Sequence, residues 1–521
     1  MRRTCAALLA AAALAAAAAA TSSTNAFAAP PPPPPPPAAA FAAFAASLAG
    51  TALTAGAPAF ANASREWNAR FDGARPPYAV VFAVGAPDVA AALAVARTWR
   101  LPLRLRSGRH QVEGWSVCDG CLVLDVSAGW GGVAVDAAAA TAVVGAGATM
   151  AALLNATVPR GLLAPTGSCS SVGVAGFVLG GGIGWTSRLQ GLAADALLAA
   201  TVVLANGSVV RAERGRAPHA ELLWALGGGG GGNFGVLLDV TLALAPVPPA
   251  LLYFSFGLPW AAAPQAVALY LGLWGEPRFD AYALFVRPSS APQPLVLIQG
   301  IWVGDLAAGA AALAPLGALA AATNASGAAT ASVTVTDYLT AHALFEGPLG
   351  ARTANKQKSA FVPLEWSPSV AGAGGLELIR AALAAAPADV ADNSAVYLNM
   401  MGGAINAVAP GATPFPHRAA AFNFVIDTHW TSNASAAGAL AWTRALHGAL
   451  AAGGYLGPAG PGGALATYVN YADADLGADP AVWGPAYYGA ANFARLQAAK
   501  AAYDPGGAFA APQAVPLPAA P

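Results

Sequence analysis

Glycine-rich segments interrupt the first half of this 521-residue chain and restrict its fold more than any other feature. One runs from Gly161 to the cluster Gly180–Gly184, and six consecutive glycines follow at Gly227–Gly232. Glycine permits positive φ angles and close backbone approach, but it weakens helices and strands. We therefore expect the segment from Gly161 to Gly184 to be a loop rather than a packed element. A flexible linker is the alternative, but the aromatic neighbours Phe177 and Trp185 favour burial.

The arrangement of the glycines argues against a Rossmann nucleotide site. That site needs a GxGxxG motif at the opening of a strand–helix unit, and this chain has none in that position. The shorter run Arg106–Gly108 follows a predicted strand and can direct backbone N–H groups at a pyrophosphate.

Charge and hydropathy exclude two classes of protein. The chain has 25 Lys and Arg against 25 Asp and Glu, and only 10% of its residues are charged, so we expect no nucleic-acid partner. The mean hydropathy of +0.54 is high, but it comes mostly from alanine. The apolar stretch Leu306–Ala322 is rich in alanine and glycine and contains Pro315, which suits a helix of a globular domain. We therefore expect a soluble mature chain without a membrane span.

The N-terminus has the features of an export signal. Arginines precede the apolar segment Leu8–Ala20, and Ala26–Ala28 is a small-x-small cleavage site, so residues 1–28 are predicted to be a signal peptide of a secreted protein. A plastid transit peptide is the alternative. The prolines Pro30–Pro37 begin a Pro/Ala-rich linker that we place at residues 29–61. Sequons for glycosylation give weak support for secretion, at Asn62, Asn155, Asn206, Asn324 and Asn433.

The cysteines also fit an oxidising compartment. Removal of the signal leaves Cys118, Cys121 and Cys169. A tight disulfide between Cys118 and Cys121 would leave Cys169 as an odd thiol that needs an explanation. Three buried free thiols are the alternative. A zinc site is not expected, because one CxxC motif supplies only two of four ligands.

Regular elements surround the glycine-rich segments. The dipeptide Asn206-Gly207 lies between two apolar runs and predicts a β-hairpin. Alternating and helical patterns predict strands at Ala79–Val84, Leu103–Arg106, Leu122–Val126, Ala142–Gly145, Val236–Leu242, Tyr282–Val286 and Leu295–Ile298, and helices at Pro87–Arg100, Met150–Leu154 and Leu376–Ala385.

Two loops of the chain resemble the cofactor-attachment loops of the berberine-bridge-enzyme-like flavoprotein oxidases, which belong to the vanillyl-alcohol-oxidase (PCMH-type) superfamily. Arg106–His110 with Glu113–Ser116 is similar to the histidyl loop of the family. Cys169–Gly176 with Leu179–Gly184 is similar to its cysteinyl loop. The resemblance covers about residues 65 to 511, with further matches at Leu223–Ala225, Thr413–Arg418, Tyr468–Asp473, Tyr487–Gly489 and Arg495–Pro505.

The resemblance implies an α+β fold and a covalent flavin. A PCMH-type FAD-binding domain would span residues 62–250, and an inserted α/β substrate domain, an antiparallel sheet covered by helices, would span 251–461. A C-terminal berberine-type segment at 462–512 would complete the first domain. FAD would be bound by an 8α-histidyl link to His110 and a 6-S-cysteinyl link to Cys169, and no metal is implied. The remaining residues assigned to cofactor binding are Arg106, Ser107, Gly108, Arg109, Gln111, Ser116, Val172, Gly173, Gly176, Gly180, Gly181, Asn470 and Asn492.

The implied activity is oxidation of an alcohol or carbohydrate lactol by hydride transfer to flavin N5, with dioxygen as acceptor and hydrogen peroxide as product. Tyr471 is the candidate base, Tyr468 would line the substrate pocket, and Asp427 would be a second active-site residue. A phenol with a pKa of about 10 needs a nearby cation or the oxidised flavin to act as a base. Val172 is similar to the small residue of family members that react with dioxygen. A flavin dehydrogenase with another acceptor, and an extracellular flavin-bearing binding protein without turnover, are the alternatives.

The chain departs from the family pattern at three positions. Arg109 replaces a glycine, so the positive φ or close approach of that position is in question. Phe177 stands where many plant members have histidine, and Glu221 replaces a common aspartate. The pair Lys358-Ser359 resembles a recurring pair of the inserted domain whose role the sequence does not indicate.

Overall fold

The computed structural model describes residues 36–291, 293–324, 329–346, 352–366 and 372–519. The predicted signal peptide and the first residues of the predicted linker, 29–35, lie outside the described residues. Three main sheets organise the chain: a four-stranded and a five-stranded sheet in its first half, and a seven-stranded sheet formed by residues 251–430. The mixed α+β architecture predicted from the sequence is confirmed.

The four-stranded sheet is a small layer with a helix on each face. In sheet order its strands are Thr51–Thr54, Ala79–Phe82, Leu122–Asp125 and Leu103–Arg106. The last three run parallel, and Thr51–Thr54 is antiparallel to its neighbour. The helix Ala86–Thr98 packs on one face and the short helix Phe60–Ala63 on the other, so every residue of Leu122–Asp125 is buried. In the sequence, buried parallel strands of this kind are continuous runs of apolar residues.

Part of the segment predicted as a linker, residues 29–61, forms regular elements that belong to this layer. Ala38–Ser47 is a helix, and Thr51–Thr54 pairs with Ala79–Phe82. Phe41 and Phe44 are buried in the main core, and the Phe41 ring meets Tyr78 edge-on at 5.2 Å. The two phenylalanines lie three residues apart on one helix face. Because the other residues of this helix are mostly alanine, its sequence shows no clear alternation of apolar and polar residues, and the helix was not predicted.

The five-stranded sheet is antiparallel throughout. In sheet order its strands are Val133–Asp136, Thr141–Gly145, Val236–Ala243, Leu197–Val203 and Val209–Glu213. The predicted hairpin at Asn206-Gly207 is confirmed, since Val203 pairs with Val209. Three helices join these strands to the loops of the first half, at Met150–Thr157, Ser187–Gln190 and Ala220–Leu226.

The segment from Gly161 to Gly184 is less irregular than predicted. It contains the two-residue strand Leu162–Leu163 and the helix Val174–Leu179. Val174, Ala175 and Val178 are buried in the main core. Six residues are too few for a helical period to be visible in the sequence, and burial of their apolar face is what stabilises the helix.

The seven-stranded sheet is antiparallel and carries four of its helices on one face. In sheet order its strands are Thr330–Thr336, Leu251–Pro259, Leu295–Val303, Phe279–Val286, Ala395–Met400, Ala420–Trp430 and Ala354–Pro363. The covering helices are Ala263–Gly272, Leu306–Thr323, Ala373–Ala385 and Ala436–Ala452. Shorter helices lie at Tyr338–Glu346, Ala388–Asn393 and Ala404–Ala407. The opposite face carries the helix Tyr338–Glu346 near Leu251, Tyr253 and Ile301, and its other side chains contribute to a site shared with the first half.

The C-terminal tail returns to the first half of the chain. It contains the 3₁₀ turns Val469–Tyr471 and Ala474–Leu476 and the helix Pro480–Tyr503, which is kinked at Gly489 with φ +66°. Its Tyr488, Leu496 and Phe509 side chains belong to the same core as the four- and five-stranded sheets.

Two smaller predictions can be compared with the structure. Leu306–Thr323 is long and apolar enough to cross a membrane by length and composition, the single such helix among the described residues. It packs on the seven-stranded sheet through Leu313 and Leu316, which agrees with a helix of a globular domain. Cys118 and Cys121 are free thiols in this structure, and Cys121 Sγ donates to the Cys118 carbonyl at 2.8 Å.

Candidate active site

A cavity of about 460 Å³ lies where the two halves of the chain and the tail meet. Its walls come from two loops, the one after Leu103–Arg106 and the one before the helix Val174–Leu179, and from the glycine run and the tail. The remaining wall is the face of the seven-stranded sheet opposite its four covering helices. Most of the residues predicted from the sequence line it, namely Arg106, Ser107, Gly108, Arg109, His110, Gln111, Ser116, Cys169, Val172, Gly173, Gly176, Asp427, Tyr468, Asn470 and Tyr471.

Three predicted cofactor residues lie behind this wall instead. Gly180 packs against Asn470, whose Nδ2 would lie 2.6 Å from a Cβ at Gly180. Gly181, with φ +110°, packs toward Phe415. The Asn492 amide donates to the carbonyls of the segment before Phe415, at 2.9 Å for Pro410. These residues therefore support neighbouring segments rather than line the cavity.

The histidine and cysteine loops touch each other through their glycines. A Cβ on Gly108 would lie 2.6 Å from Gly173 Cα, and a Cβ on Gly173 would lie 2.8 Å from Gly108 N. Both distances are shorter than real Cβ contacts allow, so neither glycine can carry a side chain without moving a backbone. His110 Nε2 and Ser171 Oγ lie 3.1 Å apart across the same junction. The two loops form one continuous wall.

His110 is held in a neutral state on this wall. Its ring stacks on Trp67, with the ring centres 4.5 Å apart and the planes 21° from parallel. The backbone N–H of Trp67 donates to the Arg109 carbonyl at 2.8 Å, which holds the Trp67 main chain beside the loop. Burial lowers the pKa of His110 to about 4, because the charged imidazolium loses solvation. At neutral pH the side chain therefore keeps a nitrogen lone pair.

Cys169 is protonated in this environment. Burial raises the pKa of its thiol to about 11. The next residue anchors the loop, because Ser170 donates to the Glu346 carboxylate through its N–H at 2.7 Å and through its hydroxyl at 2.5 Å. Glu346 ends the helix Tyr338–Glu346 of the second half, so the cysteine loop is held from the opposite side of the cavity.

Arg109 adopts the conformation that a glycine would take, with φ +64°. Its guanidinium donates to Asn62 O at 3.3 Å and lies 3.8 Å from Asp125. The neighbouring Arg106 lines the cavity, but its guanidinium is bound to Asp125 at 2.6 Å and to Ala63 O at 2.6 Å. Both guanidinium groups therefore stabilise the loop through contacts with neighbouring protein groups.

Tyr468 is fixed by three donors. Its hydroxyl oxygen accepts from Gly182 N at 3.0 Å, Ile183 N at 3.1 Å and Asn470 Nδ2 at 3.1 Å. The side chain is buried, and its ring meets that of Tyr471 edge-on at 5.1 Å. Tyr468 thereby links the glycine cluster to the tail.

Tyr471 lies among other tyrosines. Its hydroxyl is 3.5 Å from that of Tyr397, and burial raises its pKa above the usual range. The carboxylate of Asp427 opposes ionisation as well. Among the described residues, no cation contacts the Tyr471 ring or hydroxyl. The cation that would favour a phenolate is therefore not supplied by these residues.

Asp427 forms a hydrogen-bonded group with two residues that sequence reasoning missed. Its Oδ1 accepts from Gln357 Nε2 at 3.0 Å and lies 2.9 Å from His429 Nε2. His429 Nδ1 is 2.7 Å from Thr353 Oγ1. The carboxylate raises the pKa of His429, and His429 together with Gln357 lowers the pKa of Asp427. Strand alternation could have placed His429 beside Asp427, whereas Gln357 comes from a distant strand.

The pair Lys358-Ser359 connects the sheet to the tail. Lys358 Nζ lies 2.5 Å from Asp473 and 3.0 Å from Asp475. Ser359 Oγ accepts from Tyr468 N at 3.1 Å. Lys356, two residues earlier on the same strand, binds Asp473 at 2.6 Å and also binds Glu113. This buried group of charges joins the two halves just behind the tyrosines.

These features fit a flavin dinucleotide. Gly108, Gly173 and Gly230–Gly232 line the cavity with main chain, so a cofactor can approach the backbone closely at these positions. His110 and Cys169 supply a neutral nitrogen and a sulfur on the same wall. Polar side chains that can bind a hydroxylated substrate come from the sheet.

Comparison with known proteins identifies the family. The FAD binding domain family matches residues 77–213, and the berberine and berberine-like family matches residues 467–516. An uncharacterized FAD-linked oxidoreductase of Bacillus subtilis, YvdP, is 30% identical over 473 residues, which are 90% of this chain and 98% of that protein.

Two solved structures show the same fold. Berberine bridge enzyme from Eschscholzia californica has a TM-score of 0.77 at 23% identity and covers 92% of this chain and 98% of its own. A chitooligosaccharide oxidase has a TM-score of 0.74 at 22% identity and covers 90% of this chain and 98% of its own. Because this chain spans nearly all of a 30% identical relative and carries both family domains, it belongs to the berberine-bridge-enzyme-like FAD-linked oxidoreductases.

Proposed function

We propose that this protein is an oxidase that carries FAD on both His110 and Cys169. It oxidises an alcohol or the lactol of a carbohydrate and passes the electrons to dioxygen, giving hydrogen peroxide. The observation that carries the proposal is the single cavity wall formed by the histidine and cysteine loops, with Tyr471 and Asp427 lining the same cavity.

The neutral state of His110 supports its link to the flavin, whereas the thiol of Cys169 has to be deprotonated for the second link. His110 is neutral at physiological pH, so it can act as a nucleophile without first losing a proton. Cys169 has a raised pKa and needs to lose its proton during bond formation. A bound FAD supplies the hydride acceptor, and two covalent links raise its reduction potential.

The residues around Tyr471 support oxidation of a hydroxyl-bearing carbon. Asp427 has a lowered pKa, so the cavity contains one carboxylate at neutral pH. Gln357 and His429 hold that carboxylate, and Tyr397 holds the Tyr471 hydroxyl. A substrate hydroxyl placed between Tyr471 and Asp427 can give its proton to this pair while its carbon loses hydride.

Two features support the substrate class and the acceptor. The polar groups of Gln357, Asp427, His429 and Tyr397 suit a polyhydroxylated ligand, and the similar chitooligosaccharide oxidase acts on a carbohydrate by its name. Val172 lines the cavity at the cysteine loop, and a residue of this size resembles the small residue of family members that react with dioxygen. Secretion fits the exposure of the sequon asparagines, all five of which lie on the surface.

The covalent link is tested on the purified full chain. After acid precipitation and denaturing electrophoresis, we expect flavin fluorescence to stay with the protein, and mass spectrometry to find flavin on the peptides of His110 and Cys169. Unmodified peptides from protein made in a flavin-replete host would contradict the double link.

The acceptor and substrate are tested separately. We expect a peroxide-coupled screen of oligosaccharides, simple alcohols and aromatic alcohols to give turnover with a carbohydrate or alcohol. Reduced protein mixed rapidly with air-saturated buffer should reoxidise quickly. Slow reoxidation together with turnover on a quinone would instead identify a dehydrogenase, and neither activity would indicate a binding protein.

A further inference from the structure

Ser171 is a residue of the cysteine loop that makes contact with the attachment histidine. Its hydroxyl lies 3.1 Å from His110 Nε2, and this is the hydrogen bond that the imidazole makes among the described residues. Trp67 covers one face of the ring. The imidazole is therefore fixed by one edge contact and one stacking contact.

The contact with Ser171 decides which nitrogen keeps the lone pair. A neutral imidazole carries one proton, on Nδ1 or on Nε2, and the hydrogen bond of one nitrogen sets the state of the other. When Nε2–H donates to Ser171 Oγ, Nδ1 is the unprotonated nitrogen. The alternative tautomer would place a proton on Nδ1, which has no acceptor among the described residues. An N–H on the cavity wall without an acceptor is unfavourable, because it loses the hydrogen bond it would make to water.

Ser171 is free to accept this hydrogen bond. The neighbouring Ser170 donates both its N–H and its hydroxyl to the Glu346 carboxylate. The Ser171 hydroxyl makes its side-chain contact to His110 alone among the described residues, and it is partly exposed, so its own proton can point to solvent.

We propose that Ser171 is a positioning residue that holds the proton of His110 on Nε2 and so presents Nδ1 for attachment of the flavin. This inference rests on the proposed covalent link. In the reaction Nδ1 forms a bond to the 8α carbon of the flavin, which loses one C–H proton, and the imidazole loses its Nε2 proton through Ser171. The two electrons and both protons go to the isoalloxazine ring, and dioxygen then reoxidises the ring with formation of hydrogen peroxide.

A consequence is that the histidyl link depends on the cysteine loop. Glu346 anchors that loop through Ser170, and the loop presents Ser171 to His110. Loss of the Ser171 hydroxyl should therefore slow attachment at His110 without removing the thiol of Cys169 from its place.

The test compares Ser171→Ala and Ser171→Thr with the matched control Ser170→Ala. Full-length proteins are purified from a riboflavin-limited host, incubated with FAD, and digested at successive times, and mass spectrometry follows flavin on the His110 and Cys169 peptides. We expect Ser171→Ala to slow modification of His110 about tenfold. Modification of Cys169 should change less than about twofold, Ser171→Thr should retain the wild-type rate, and Ser170→Ala should not slow the histidyl link selectively.

Several outcomes would overturn the inference. Wild-type speed at His110 in Ser171→Ala would do so, and so would an equal loss at both residues, which indicates collapse of the loop. Loss of the histidyl link in Ser170→Ala alone would point to Glu346 instead. Absence of flavin on His110 in the wild type would overturn the proposed double link together with the inference, so the two failures can be told apart.

Discussion

At the scale of single residues, Arg109 shows how a departure from a family pattern can be accommodated. The residue keeps φ +64°, although a side chain in the left-handed region costs roughly 1 kcal/mol or more. Its guanidinium contacts Asn62 O and lies near Asp125. These contacts offset part of the strain, so the loop keeps the path that a glycine would give it.

Substitution of Arg109 separates the backbone strain from the side-chain contacts. Arg109→Gly and Arg109→Ala both lose the guanidinium, but only glycine relieves the left-handed conformation. We expect Arg109→Gly to be about 1 kcal/mol more stable than Arg109→Ala in urea unfolding. The reverse order, with alanine more stable, would show that the position does not have a positive φ, because glycine then carries only its entropic cost.

At the scale of elements, the sequence predicted those strands whose residues alternate between apolar and polar or form a short continuous apolar run. Leu103–Arg106 has the predicted bounds, and the hairpin at Asn206-Gly207 forms where expected. The helix Val174–Leu179 was missed because its stability comes from packing rather than from a visible period.

The candidate site was also predictable only in part, because some of its residues have a local sequence signal and others depend on long-range packing. His110 and Cys169 lie in local motifs, so the sequence revealed them. His429 lies two residues from Asp427 on the same strand, so alternation indicates that the two share a face. Gln357 reaches Asp427 through the pairing of the strands Ala354–Pro363 and Ala420–Trp430, and this long-range register has no local signal.

The strand Ala420–Trp430 also gives a prediction about pH. Asp427 and His429 lie two residues apart and bind each other on the cavity side. The pKa of His429 is raised, so its contribution to stability is complete below its unfolded pKa of about 6.5 and is lost as the pH rises through the folded value. The pKa of Asp427 is lowered, so its contribution is lost as the pH falls below about 4.

His429→Gln should therefore lose most stability between about pH 4 and 6.5. We expect the difference in melting temperature between wild type and His429→Gln to shrink as the pH rises to 9. His417→Gln serves as a contrasting control, because burial lowers the pKa of His417 to about 4. The wild type then loses stability as the pH falls through the unfolded pKa of about 6.5, so the His417→Gln difference should grow, not shrink, as the pH rises from 5 to 8. A His429→Gln difference that is constant with pH would show that no ion pair forms.

At the scale of the whole molecule, three separate parts of the chain meet in one buried group of charges. Glu113 follows the histidine loop, Lys356 and Lys358 belong to the seven-stranded sheet, and Asp473 follows Tyr471 in the tail. All four side chains are less than a tenth exposed. Burial of charged groups is costly in free energy. Removal of one partner from this group therefore lowers the stability of the protein far more than removal of one partner from an exposed ion pair. The group therefore couples the position of the candidate base to that of the attachment loop.

The coupling can be measured by a double-mutant cycle. Lys358→Met removes one cation and leaves Asp473 with Lys356 alone, so we expect a loss of about 3 kcal/mol in unfolding free energy. Asp473→Asn should cost a similar amount, and the double variant should cost clearly less than the sum, since each change removes the partner of the other. Because Tyr471 lies two residues before Asp473, kcat of the single variants should fall together with stability. Additive losses would show that the two side chains do not act on each other, and the contact between sheet and tail would then rest on Ser359 and its bond to Tyr468 N.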